Sequence, residues 1–134
     1  YEFEIGKGKV LREGSDVAII ATGIMVAEAL RAAEILEKEG INAMVVNIHT
    51  LTPIAEDIIL KAADCGAIVT AEEHTVIGGL GSAVAEVLAE KKPTPMRRIG
   101  IKDRFGLSGK PNELLKLYNL TAEDIADAAR EVKR

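Results

Sequence analysis

The chain has 134 residues, a formal net charge of −4, 48% hydrophobic and 28% charged residues, which is one ordinary globular domain's worth of sequence. The acidic balance and the scattered aromatics Tyr1, Phe3, Phe105 and Tyr118 argue against nucleic-acid binding, which asks for a basic surface and stacking rings. No apolar run approaches the roughly 20 residues that cross a bilayer, and the single Cys65 excludes an internal disulfide and a Cys-rich zinc site.

Residues 1–9 read as a linker from a preceding domain. The first ten residues carry two Glu and two Lys and lack the apolar core of a signal peptide, and the chain does not begin with Met, as suits a fragment or processed product. A reduced, cytoplasmic setting is expected. Val10-Leu11 form a short extended segment, and Gly14-Ser15-Asp16 a turn. Val17 to Ala21 read as a strand buried on both faces. After Gly23 comes a helix with Val26, Ala29, Leu30, Ala33 and Leu36 on one stripe and Glu28, Arg31, Glu34 and Lys38 facing outward; Gly40 ends it. Met44 to Ile48 give the next strand. Thr52-Pro53 supply an N-cap and first-turn proline for a helix whose Glu56 and Asp57 suit its positive end. Cys65 is assigned a packing or helix-end role.

Ala67 to Ala71 form a third buried strand. An amphipathic helix follows Gly81, from Ala83 to Ala89, and Lys91-Lys92-Pro93-Thr94-Pro95 stop it. Met96 to Ile101 give the last strand. Two helices close the chain, one near Pro111 and one at Thr121, where Asp124 sits at the capping-box distance. Ile125, Ala128, Ala129 and Val132 line the apolar face of the latter. Strands separated by helices imply parallel pairing with right-handed crossovers. Only a tight turn separates the Val10 segment from the next strand, so it must run antiparallel if it joins the sheet; simple adjacency would make the two a hairpin. The fold class is a three-layer α/β/α domain with one antiparallel edge strand.

The chemistry concentrates in Glu72-Glu73-His74-Thr75-Val76-Ile77-Gly78-Gly79-Leu80-Gly81-Ser82, between a strand and a helix. That is where an α/β fold keeps its functional loop. The glycine run lacks the G-x-G-x-x-G spacing and the G-K-[ST] ending of phosphate loops, so close packing of loop and helix is the simpler reading. Thr22-Gly23 is a second strand-to-helix turn whose amides could bind an anion, although no basic partner is near in sequence. Glu72 and Glu73 are adjacent, so on a strand they point to opposite faces and do not make a carboxylate pair. His74 could act as a general base, but no partnered nucleophile is in view; neither His49 nor His74 has a ligand at helical metal spacing. Lys102-Asp103-Arg104 reads as a solvated or interface loop.

Glu72-Glu73-His74, then Gly78-Gly79-x-Gly81-Ser82-Ala83-Val84, resembles the "E-E-H-x-x-x-G-G-x-G-S-A-V" loop of the transketolase C-terminal domain. Phe105-Gly106-x-Ser108-Gly109 followed by Leu114 to Thr121 is similar to that family's "F-G-x-S-x…L…G-L-T" ending, with Asn119 where a glycine often stands. Asn tolerates left-handed dihedrals, so the turn can survive. Val10 to Val17 resembles the entry into the same domain. The likeness extends to deoxyxylulose-phosphate synthase and the β chains of 2-oxo acid dehydrogenases. Ile101 to Gly106 lacks the synthases' "P-D-x-F-x-x-H-G", and Pro111 stands alone where the dehydrogenases have a proline-rich end. Transketolase is the nearest of the three.

The resemblance implies a five-stranded mixed sheet of order 1-3-2-4-5 with strand 1 antiparallel, against the hairpin that adjacency suggests. It implies a parent that transfers two-carbon ketol units between sugar phosphates, using thiamine diphosphate and a divalent metal (Mg or Ca). For this domain it implies no catalytic, cofactor-binding or metal residue, an assembly role, and inactivity in isolation. The expected partners are the other transketolase domains or the subunit with the thiamine diphosphate site, in a homodimeric parent, with no nucleic acid and no membrane. The implied order also sets a switch point between strands 2 and 4, where α/β sheets bind ligands. A regulatory small-molecule crevice there stays as an alternative. The candidate interface or crevice residues are Thr22, Gly23, Glu73, His74, Gly78, Gly79, Gly81, Arg104 and Phe105.

Overall fold

The computed structural model describes residues 8–48, 55–75, 79–101 and 121–133. Their elements are β1 (Gly8–Arg12), β2 (Val17–Ala21), α1 (Met25–Glu37), β3 (Ala43–Ile48), α2 (Glu56–Ala63), β4 (Ile68–Thr75), α3 (Leu80–Lys91), β5 (Met96–Ile101) and α4 (Ala122–Lys133). One sheet runs in the order β1-β3-β2-β4-β5. β1 pairs antiparallel with β3, whereas the β2–β3, β2–β4 and β4–β5 pairs are parallel. The antiparallel direction of the first strand stands. The hairpin that adjacency suggests does not: β3 lies between β1 and β2.

Alternation along the strands splits the core into two layers. Val17, Ile19, Ala21, Val45 and Val69 face α1 and α4. Ala18, Ile20, Met44, Val46 and Ile68 face α2 and α3. Every residue of β2 is buried, as a central parallel strand covered by helices on both faces requires. Full burial of Ile19 and Ile20 stabilises by about 1.5–3 kcal/mol each.

The α1 stripe is turned slightly from its expected position. Met25, Ala29, Ala32, Ala33 and Leu36 are buried, while Val26 and Leu30 are partly buried at the edge of the same cluster. Alanines on both α1 and α4 let the two helices approach closely. α2 begins at Glu56 with Ala55 as its N-cap; Thr52-Pro53 lie outside the described residues. α3 begins at Leu80, so Gly81 lies inside its first turn instead of before it. β1 takes in Gly8 and Lys9, which the linker expectation had assigned to residues 1–9. The helix expected near Pro111 lies outside the described residues.

The capping box at α4 is present. The Thr121 N–H donates to Asp124 Oδ2 at 3.0 Å and the Asp124 N–H to Thr121 Oγ1 at 3.4 Å. Glu28, expected to face solvent, instead turns toward α4. Its Oε1 accepts the Ala122 N–H at 3.1 Å while its other oxygen pairs with Arg31. A carboxylate on α1 thus meets an orphan amide at the positive end of α4. Glu28→Ala should destabilise the chain by about 1 kcal/mol, read as a lower urea midpoint. Arg31→Ala, which removes only an exposed partner, should shift that midpoint little.

Candidate functional site

β4 carries the two acids and the histidine, and its pairing with β5 changes register there. Ala71 is opposite Ile99 and Thr75 is opposite Ile101, so β4 spends more residues than β5 between those two pairs. Such a bulge re-aims the side chains it contains and commonly lies beside functional loops. Glu72, Glu73 and His74 occupy it.

Glu72 is 1% exposed. Its Oε1 accepts the Leu80 N–H and its Oε2 the Gly81 N–H, both at 2.8 Å. These are the first two amides of α3, donors for which a helix has no internal partner. The N-cap residue is Gly79, which has no side chain to supply a cap. The capping charge therefore comes from across the fold, and two charge-assisted bonds span the segment between β4 and α3. A carboxylate with both oxygens committed to amides ties the start of α3 to β4.

Gly81 makes this arrangement possible. A Cβ there would lie 2.5 Å from Arg98 Cδ, 2.9 Å from Arg98 Cγ and 3.1 Å from Thr70 Oγ1. The first turn of α3 thus sits directly against β4 and β5, a close approach that glycine allows. Thr70 Oγ1 is buried beneath it without a hydrogen-bond partner.

The other wall of the switch point is the turn after β2. The Thr22 N–H donates to the Ala71 carbonyl at 3.2 Å, and the Met25 and Val26 N–H groups donate to the Thr22 and Gly23 carbonyls. The Thr22 amide thus belongs to the β2–β4 pairing. Gly23 is exposed with φ 58°, and Ile24 after it is 43% exposed.

The structure therefore brings Thr22 and Gly23 beside the end of β4 and places Gly79 and Gly81 at the start of α3. Glu73 and His74 lie on β4, with only their backbone among the described features. Gly78, Arg104 and Phe105 lie outside the described residues. Glu72 was not among the candidate residues, although it is the side chain that fixes this region. A charged residue directly after a mostly apolar run, eight positions before a helix with a glycine cap, is the signal that could have found it.

Cys65 is half-buried, with its Sγ 3.5 Å from the Gly14 carbonyl. Burial pushes its thiol pKa up, and the nearby Asp64, Asp16 and Glu13 push the same way. That makes it a poor nucleophile and agrees with a packing role.

Fold and site together define an α/β/α domain with a glycine-started helix clamped at the end of its sheet by a buried carboxylate. Residues 6–125 match the family described as "Transketolase, C-terminal domain". The chain belongs to that family. It is 54% identical over 132 residues to the 6-deoxy-6-sulfo-D-fructose transketolase subunit SqwH of Clostridium sp. (strain MSTE9), covering 98% of this chain and 41% of that protein. It is 47% identical over 130 residues to a 1-deoxy-D-xylulose-5-phosphate synthase of Heliobacterium modesticaldum, covering 96% of this chain and 20% of that protein. A solved structure described as a split-gene transketolase, inactive beta4 tetramer, superposes with a TM-score of 0.93 at 52% identity, covering all of this chain and 45% of that one. The chain thus spans less than half the length of these relatives.

Proposed function

We propose that this chain is the C-terminal assembly domain of a transketolase that moves two-carbon ketol units between sugar phosphates with thiamine diphosphate and Mg or Ca. The family match over residues 6–125 carries the reading, and the likeness to a split-gene transketolase at 52% identity adds to it. The catalytic centre belongs to other domains or to a partner subunit of a cytoplasmic, homodimeric parent. The role of this domain is to hold that assembly, with residues 1–134 as one unit. The glycine loop and the segment with Arg104 and Phe105 are its candidate contact surfaces. No helix among the described residues is long and apolar enough to cross a membrane.

The described donor set does not fit the cofactor. Glu72 has both oxygens on backbone amides, and no group of three or more His, Cys, Asp or Glu converges among the described residues. A second reading rests on the 47% identity to a deoxyxylulose-phosphate synthase, which would give the same domain a different parent.

The test uses the chain alone and the intact parent with its cofactor-bearing partner. The chain alone should give no turnover of xylulose 5-phosphate with ribose 5-phosphate and no calorimetric signal with thiamine diphosphate. The assembled parent should turn these sugars over. Turnover by the chain alone would defeat the assembly role, and a parent that instead condenses pyruvate with glyceraldehyde 3-phosphate would establish the synthase reading.

A further inference from the structure

We draw no further inference here: the strongest candidate, the buried seat of α3 on β4, where the Thr70 hydroxyl has no hydrogen-bond partner beneath the first turn of the helix, belongs to the site already described, its Leu80 and Gly81 amides being held by Glu72 and its space against Gly81 taken up by Thr70 and Arg98.

Discussion

Glu72→Ala should lower the stability of the chain by about 3 kcal/mol, among the largest losses that any side-chain truncation here can produce. The substitution removes two charge-assisted bonds of 2.8 Å at a residue 1% exposed. It leaves the Leu80 and Gly81 amides facing a cavity, and a buried donor stripped of its acceptor costs about 1–3 kcal/mol. The helix also loses the negative charge at its positive end. Urea unfolding followed by circular dichroism reads the loss as a lower midpoint. Glu72→Gln separates the parts: its carbonyl keeps one acceptor, while its NH2 meets an amide N–H with another donor. It should lose roughly half as much. A midpoint unchanged in Glu72→Ala would mean that water or a rearranged loop replaces the carboxylate, and the anchor role would fall.

The same substitution bears on function through the segment between β4 and α3. In the assembly reading that segment meets other parts of the parent, and the Glu72 clamp fixes its α3 end. Loosening it should weaken assembly of the parent at temperatures where the domain is still folded.

Strands and helices were legible because their patterns are strong. β2 reads as buried on both faces because all five of its residues are apolar, and Thr121 with Asp124 announces the start of α4. The start of α3 was set too late because glycine is a poor helix former, and the bond from the Gly81 amide to Glu72 at that helix start is a tertiary one that local sequence does not announce. Glu28 was assigned to solvent because the helical period says which face a residue takes but not what waits there; the partner amide at Ala122 is 94 positions away. Periodicity could not reveal either tertiary cap, since both join residues from different elements. Strand order was also beyond local pattern. Only the family resemblance placed β3 between β1 and β2.

That strand order explains the second large effect, Gly14→Ala, which should cost about 3 kcal/mol. β1 and β2 are consecutive in sequence but separated by β3, so the connection at residues 13–16 must step over the amino end of β3. The step covers two strand spacings, roughly 10 Å, and leaves no slack to ride high above the sheet. Gly14 is where it presses down. A Cβ there would lie 2.4 Å from the Ala43 carbonyl carbon, 2.6 Å from its oxygen and 2.6 Å from the Met44 nitrogen. These are backbone atoms of the strand being crossed, so no side-chain rotation can make room. Moving the connection outward would pull on the Asp16 N–H bond to the Asn42 carbonyl and on the Asn42 N–H bond to Asp16 Oδ2, at 3.0 and 2.7 Å. It would also draw the Gly14 carbonyl from the Cys65 thiol. Ser15→Ala, in the same turn but exposed, should change the urea midpoint by less than about 0.5 kcal/mol and serves as the control. If Gly14→Ala proves equally mild, the connection must clear β3 by more than these distances allow, and the requirement for glycine at the crossing would be disproved.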